Sequence, residues 1–218
     1  MRTVRDIYAQ YRIPPWLQLH QLRVAAVGSL VLQAQEEKID ESAVILACLF
    51  HDMGNILKFD FSPNGPFEEV IEENGSQYWR GVQDGFREKY GTDEHDATVA
   101  IAHEIDISAE AISIIDQIGF SNIPDIFPCS KELWVAQYAD MRVGPPGIIP
   151  IGERVADLKA RYAKRSKSFA DAELVDANEK ILQEMEEKLF MGGRIRPEDI
   201  SDAAVAPVIE ELWEYPIA

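Results

Sequence analysis

The sequence predicts an all-α protein, a helical bundle with additional C-terminal helices. Apolar residues recur at helical spacing along most of the 218 residues, and helix-capping and helix-breaking residues separate the periodic segments. No segment shows the alternation with a period of two that is typical of a half-buried strand. We expect a single domain with a helical core over residues 13–165 and an acidic helical extension over residues 166–218.

The first two predicted helices show the clearest pattern. After Pro14 and Pro15, positions 17, 20, 24, 27 and 31 follow one another at steps of three or four residues, so they share one helix face. All of them are apolar except His20. The second helix has Asp40 as its predicted N-cap and is apolar on every face over residues 43–50, which indicates a central, buried helix that ends near Gly54.

The later helices are predicted from their ends. Gly91 and the Gly-Pro-Pro-Gly segment at 144–147 break the pattern, and Ser130 is a predicted N-cap. Residues 60–66 and 119–129 are predicted loops. The expected helices span 77–90, 93–103, 108–117, 131–143, 151–164, 171–190 and 201–214.

The composition disfavours several classes of protein. Lys and Arg number 21 and Asp and Glu number 38, so the net charge is 21 − 38 = −17, which opposes binding to a nucleic-acid backbone. The longest apolar run, residues 43–50, is too short to span a membrane, and the first residues lack a signal peptide. Cys48 and Cys129 form no C-x-x-C pattern, so neither a disulfide framework nor a zinc finger is indicated. We expect a cytoplasmic protein.

Three predicted helices carry histidine or aspartate where apolar residues are expected. His20 lies on an apolar stripe, the pair His51-Asp52 follows the buried helix, and Asp140 lies on the inward face of the 131–143 helix. A carboxylate on an apolar face is costly unless it is paired or bound to a cation. Imidazole and carboxylate together suit a divalent transition metal. The sequence therefore predicts His20, His51, Asp52 and Asp140 as metal ligands.

The order of these residues, H…HD…D, and their surroundings resemble the HD-domain superfamily of metal-dependent phosphohydrolases. The motifs are HQLRV from His20, FHDMG from Phe50 and ADMR from Ala139, and they point to the HDIG-like branch, with Met53 where isoleucine is common. The resemblance covers residues 13–162. It implies a helical HD fold, a metal site at the four residues, and hydrolysis of a phosphate ester by metal-activated water.

Phosphoryl transfer also needs positive groups around the phosphoryl oxygens. By position, Arg23, Lys58 and Arg142 are the candidates, although each could equally be a surface charge. Asp52 is a catalytic candidate as well as a ligand. His95 matches the first of two extra histidines that bind a second metal in many relatives, and it is a candidate phosphate donor or general acid.

We expect one metal per chain, because Gln117 stands near the place where those relatives carry the second extra histidine. This departure also disfavours the di-iron oxygenases of the family. Asn55 replaces the lysine that some relatives carry, so that catalytic group is not transferred here. The expected cofactor is Mn, Fe, Co, Ni or Zn as a divalent ion, with Mg a further option.

The predicted function is hydrolysis of a nucleotide or another small phosphate ester, without nucleic-acid or membrane partners. Residues 59–90 are expected to form a lid or wall that sets specificity. The alternative is a catalytically inactive HD-fold module that senses a nucleotide or binds a partner protein. A homodimer through the C-terminal helices is also considered.

Overall fold

The computed structural model describes residues 1–35, 37–61, 74–163 and 167–217, with only the backbone of Lys167, and it confirms the all-α prediction. Helices dominate the described chain, and the strands are only two residues long. No described helix has both the length and the apolar character needed to cross a membrane. The α-helices are α1 (Val4–Gln10), α2 (Pro15–Gln33), α3 (Glu41–Phe50), α4 (Gly75–Tyr90), α5 (Glu94–Ile105), α6 (Ala109–Gln117), α7 (Ile123–Ile126), α8 (Lys131–Asp140), α9 (Ile151–Tyr162), α10 (Lys167–Ala170), α11 (Ala172–Phe190) and α12 (Asp202–Leu212).

The predicted N-caps are confirmed by hydrogen bonds. Side-chain oxygens of Asp40 and Ser130 accept from backbone amides three residues later, as a capping residue does. Gly91 ends α4 with a φ of 86°, a backbone conformation that glycine adopts at little cost. The boundaries of most predicted helices therefore lie within a few residues of the observed ones.

The prediction was wrong at four places where tertiary contacts or local turns decide. A capping box between Thr3 and Asp6 begins α1, which was not predicted. The expected loop at 119–129 contains a 3₁₀ turn (Phe120–Asn122) and α7. Helix α3 ends at Phe50 rather than near Gly54. Helix α8 ends at Asp140 rather than at 143, because the chain turns there into a hairpin.

Two short antiparallel pairs tie the chain together. Strand β2 (Val143–Gly144) pairs with β3 (Gly147–Ile148) in the hairpin that follows α8. Strand β1 (Arg2–Thr3) pairs with β4 (Pro216–Ile217), so the two ends of the described chain meet.

The centre of the fold is formed by α2, α3 and α8, which contact one another pairwise. The C-terminal extension packs on this centre, with α12 against α2 and α11 against α8 and α9. Its buried residues, such as Leu182 and Val205, belong to the same hydrophobic core as α3. The predicted lid includes residues 62–73, which lie outside the described residues, as do 62–66 of the predicted loop and 164–165 of the predicted core.

A close approach at Gly54 fixes α5 beside the turn that follows α3. The amide of Gly54 donates to Thr98 Oγ1 at 2.9 Å, and Thr98 Oγ1 donates to the Glu94 carbonyl at 2.7 Å. A Cβ on Gly54 would lie 2.2 Å from that same carbonyl oxygen. Because the φ of Gly54 is −85°, which any residue can adopt, the constraint here is steric.

We expect Gly54→Ala to lower the free energy of unfolding by about 2 kcal/mol or more, since backbone rather than a flexible side chain occupies the space. Gly81→Ala is the matched control, because Gly81 is exposed within α4 and no atom lies within 4 Å of its added Cβ. That change is expected to add about 0.5–1 kcal/mol through helix propensity. Urea unfolding measures both; equal effects would contradict the packing described.

Candidate metal centre

The four residues predicted as metal ligands lie together where α2, α3 and α8 meet. The Nε2 atom of His20 lies 3.5 Å from Asp52 Oδ2 and 3.4 Å from Asp140 Oδ1. The Nε2 atom of His51 lies 3.7 Å and 3.5 Å from the same two oxygens. The two imidazoles and the two carboxylates therefore alternate around a closed ring, with each nitrogen facing both oxygens.

A hydrogen bond to the backbone orients His51. Its Nδ1 lies 2.9 Å from the Cys48 carbonyl, and because a carbonyl only accepts, Nδ1 carries the proton. This leaves Nε2 directed at the carboxylates. Nε2 is buried and has no hydrogen-bond partner, since 3.5 Å is longer than an ordinary N–H···O bond. A buried imidazole nitrogen without a partner fits a metal ligand, whose other ring nitrogen usually donates to a carbonyl or carboxylate.

Gln21 holds Asp52 from the neighbouring helix. Its Oε1 accepts from the Asp52 amide at 3.2 Å, and its Nε2 lies 3.9 Å from Met53 Sδ. Gln21 is fully buried, although it follows the partly exposed His20. Sequence reasoning missed this residue. The signal available was weak, because Gln18 and Arg23 are also polar residues close to His20 in α2.

The electrostatics show strong mutual stabilisation of the charged forms. Burial would lower the pKa of His51, but Asp52 and Asp140 outweigh it and raise the pKa to about 9. Burial raises the pKa of Asp52, but His51, His20 and Lys58 lower it to about 2. The same two histidines hold the pKa of Asp140 well below its usual range despite its burial. Without a metal, the site is a paired set of carboxylates and imidazolium.

The separations also fit a metal ion. Ligand bonds of about 2.0–2.2 Å in a tetrahedral set place neighbouring ligand atoms about 3.3–3.6 Å apart. The four nitrogen-to-oxygen distances of 3.4–3.7 Å lie close to that spacing, although a tetrahedral set also requires the two carboxylate oxygens to be this close to each other. His20, His51 and Asp52 form a group that could hold a metal ion, with ligand atoms within 4.8 Å of one another.

Lys58 extends the site on the side of Asp52. Its Nζ lies 3.3 Å from Glu94 Oε1, which reaches it from the first turn of α5. Burial would lower the pKa of Lys58, but Asp52, Glu94 and Tyr162 outweigh it and raise the pKa. The lysine is therefore charged, and it lies close enough to Asp52 to act on it electrostatically. Glu94 and Tyr162 were not singled out from the sequence.

His95 contacts Asp116, which immediately precedes Gln117, the residue that stands near the place of the second extra histidine. Its Nε2 lies 3.2 Å from Asp116 Oδ1, and both side chains are largely exposed. Gln117, the residue expected near this position, instead donates to the carbonyl and hydroxyl of Ser113 on its own helix. The pair of His95 and Asp116 is separate from the group of His20, His51 and Asp52.

The two arginine candidates have other partners. Arg23 lies one turn from His20, with its guanidinium 3.8 Å from Asp202. Arg142 is buried and donates to the carbonyls of Ile149, Pro197 and Ile200 and to the hydroxyl of Tyr138. Because each guanidinium nitrogen of Arg142 already has an acceptor, this arginine joins the end of α8 to neighbouring segments and has no nitrogen left for a phosphoryl group.

Comparison with protein-family models, with curated proteins and with solved structures finds no match to this chain.

Metal binding is expected to release about one proton at neutral pH. The raised pKa of His51 means that its imidazolium stabilises the metal-free fold below about pH 6.5 and that this contribution is lost as the pH rises through about 9. A metal requires the neutral ring, so its apparent affinity is expected to increase over the same interval. Calorimetric titration with Mn²⁺ in buffers of different ionisation enthalpy measures the released proton.

The control is His103→Ala, which removes an exposed histidine at the other end of α5 and is expected to leave the proton release unchanged. An affinity that is independent of pH between about 6.5 and 8.5, with no proton released, would contradict this description of the site.

Proposed function

We propose that the chain is a metal-dependent phosphohydrolase of the HD-domain type that acts on a small phosphate ester. The observation that carries the proposal is the ring formed by His20, His51, Asp52 and Asp140, in which the buried Nε2 of His51 faces two carboxylates without a hydrogen bond. Two carboxylates and two neutral imidazoles match the charge and ligand preference of a divalent transition ion.

A divalent cation held by these four residues would supply Lewis-acid chemistry, activating water and neutralising phosphoryl charge. Mn, Fe, Co, Ni and Zn all suit this ligand set, and Mg is the further option. We propose one ion per chain, because the pair of His95 and Asp116 has only one imidazole and one carboxylate, both exposed.

The residues around the ring have distinct proposed roles. The Cys48 carbonyl fixes the tautomer of His51, and Gln21 holds the backbone of Asp52. Lys58 provides a positive charge beside Asp52 for a phosphoryl oxygen, with Glu94 holding its ammonium in place until substrate binds. His95, oriented by Asp116, is a candidate to give a proton to the leaving group.

The charge of the protein supports a small substrate. With a net charge of −17, the surface repels a long phosphate backbone, whereas a single phosphoryl group needs only the cation and nearby Lys58 to offset that field. We therefore propose a nucleotide or another small phosphorylated compound rather than a nucleic acid.

Asp52→Asn is expected to lower phosphate release by at least about a thousandfold, because it removes a ligand charge without changing side-chain volume. Lys58→Ala is expected to lower kcat/KM by about tenfold or more. Release is measured over nucleotides, dinucleotide polyphosphates and sugar phosphates with Mn²⁺, Co²⁺ or Mg²⁺.

The matched controls carry the same changes outside the site. Asp84 pairs with Arg87 on the exposed face of α4, so Asp84→Asn is expected to leave activity unchanged. Lys89 pairs with Glu104, at the opposite end of α5 from Glu94. Lys89→Ala is therefore the control for Lys58→Ala, and it is expected to leave activity unchanged. Full activity in a folded Asp52→Asn protein would refute the hydrolase. Nucleotide binding without turnover in the wild-type protein would favour the inactive sensing module instead.

A further inference from the structure

The C-terminal segment 197–202 contacts both elements that deliver His20 and Asp140 to the ring. This segment consists of a 3₁₀ turn (Pro197–Asp199) followed by Ile200, Ser201 and the first residue of α12. None of its residues belongs to the four-residue ring. The four predicted metal ligands all lie within the first 140 residues, and none of the roles assigned to the site so far depends on the contacts of this segment.

The first set of contacts runs from Asp140 to the segment through Arg142. Arg142 follows Asp140 by two residues, and its Nη2 donates to the carbonyls of Pro197 and Ile200 at 3.2 and 3.4 Å. Its Nε donates to the Ile149 carbonyl at 2.8 Å, which closes the β2–β3 hairpin onto the end of α8. Arg142 is only 4% exposed, so the end of α8 has little freedom to move relative to the segment.

The second set of contacts runs from His20 to the segment through Asp202. The Asp202 carboxylate lies 3.8 Å from the guanidinium of Arg23, one helical turn from His20. The same carboxylate accepts from the Ile148 amide in β3, at 3.3 and 3.4 Å for its two oxygens. One side chain therefore contacts both α2 and the hairpin that follows Asp140.

Gly147 makes this approach possible. A Cβ at position 147 would lie 2.5 Å from both carboxylate oxygens of Asp202, closer than any side chain could tolerate without displacement. Its φ of 135° also favours glycine. A side chain at position 147 would therefore displace the Asp202 carboxylate from its contact with the hairpin.

These contacts connect His20 to Asp140 through the C-terminal segment. Arg23, one turn from His20 on α2, pairs with Asp202, and both Asp202 and Arg142 contact the hairpin that follows Asp140. The two ring atoms that they connect, His20 Nε2 and Asp140 Oδ1, are 3.4 Å apart. We propose that Asp202 is a positioning residue that sets the separation of His20 and Asp140, so that the C-terminal extension tunes metal affinity without touching the metal. This inference rests on the metal site of the proposed function.

The test compares Asp202→Ala with Asp199→Ala in direct titrations with Mn²⁺. Asp199 lies in the same segment, and its carboxylate contacts Arg196, which lies three residues earlier in the chain and is exposed. Both variants remove one negative charge from the same segment, so the long-range effect on the cation is closely matched. Groups that hydrogen-bond a metal ligand directly change metal affinity by about 10–100-fold, and Asp202 acts one contact further out. We expect Asp202→Ala to weaken Mn²⁺ binding by about threefold to tenfold and Asp199→Ala by less than about twofold.

The melting temperature of each metal-free variant is measured in parallel, and titrations are made well below both. A purely structural role for Asp202 would lower that temperature and leave the Mn²⁺ affinity of the folded protein equal to that of Asp199→Ala, which would overturn the inference. Failure of the wild-type protein to bind Mn²⁺ would overturn the metal site itself and this inference with it. Tight wild-type binding with equal affinities in the two variants would overturn the positioning role alone.

Discussion

This structure depends on offsetting the electrostatic repulsion between two carboxylates that lie close together near the centre of a helical core. Asp52 and Asp140 are each about three-quarters buried, and like charges at such a place repel strongly unless positive groups lie between them. Here the histidines alternate with the carboxylates, so each negative group faces two imidazoles. A divalent ion bound by these residues would balance the same two carboxylate charges with the His51 ring neutral. Protonation of His51 and binding of a cation are thus two alternative ways to offset the charge of Asp52 and Asp140.

Backbone contacts keep the ring together. The Cys48 carbonyl orients His51, Gln21 holds the amide of Asp52, and Gly54 lets the turn after α3 lie directly against α5. Because α2, α3 and α8 also pack on one another, a shift of one helix would move ligands on the others. The same packing brings Glu94 on α5 to Lys58, which places a cation beside Asp52.

Much of this could be predicted from the sequence, because it depends on local rules. The three- and four-residue spacing placed His20 on the inward stripe of α2, and the N-caps Asp40 and Ser130 fixed where α3 and α8 begin. Polar ligand types on apolar faces predicted that His20, His51-Asp52 and Asp140 would meet. The all-α class followed from the same periodicity.

The rest depends on contacts between distant segments. Successive residues of a helix differ in direction by about 100°, so a shift of one position changes which residue faces a neighbouring helix. Gln117 stands near the place of the second extra histidine, whereas the preceding residue, Asp116, faces His95. Arg142 is two residues from Asp140, yet it is directed at carbonyls of the C-terminal segment that no local pattern reveals. Gln21 and Asp202 act on elements far along the chain. Sequence spacing predicts which side chains meet, whereas the contacts that support them become visible only in the fold.

The most direct test of the metal centre is a crystal of the protein soaked in Mn²⁺ and measured at a wavelength that gives manganese anomalous scattering. A single strong peak is expected at about 2.0–2.3 Å from Nε2 of His20, Nε2 of His51 and the carboxylates of Asp52 and Asp140. A peak only between His95 and Asp116, or none at the ring in a crystal whose protein is folded as described, would contradict the account.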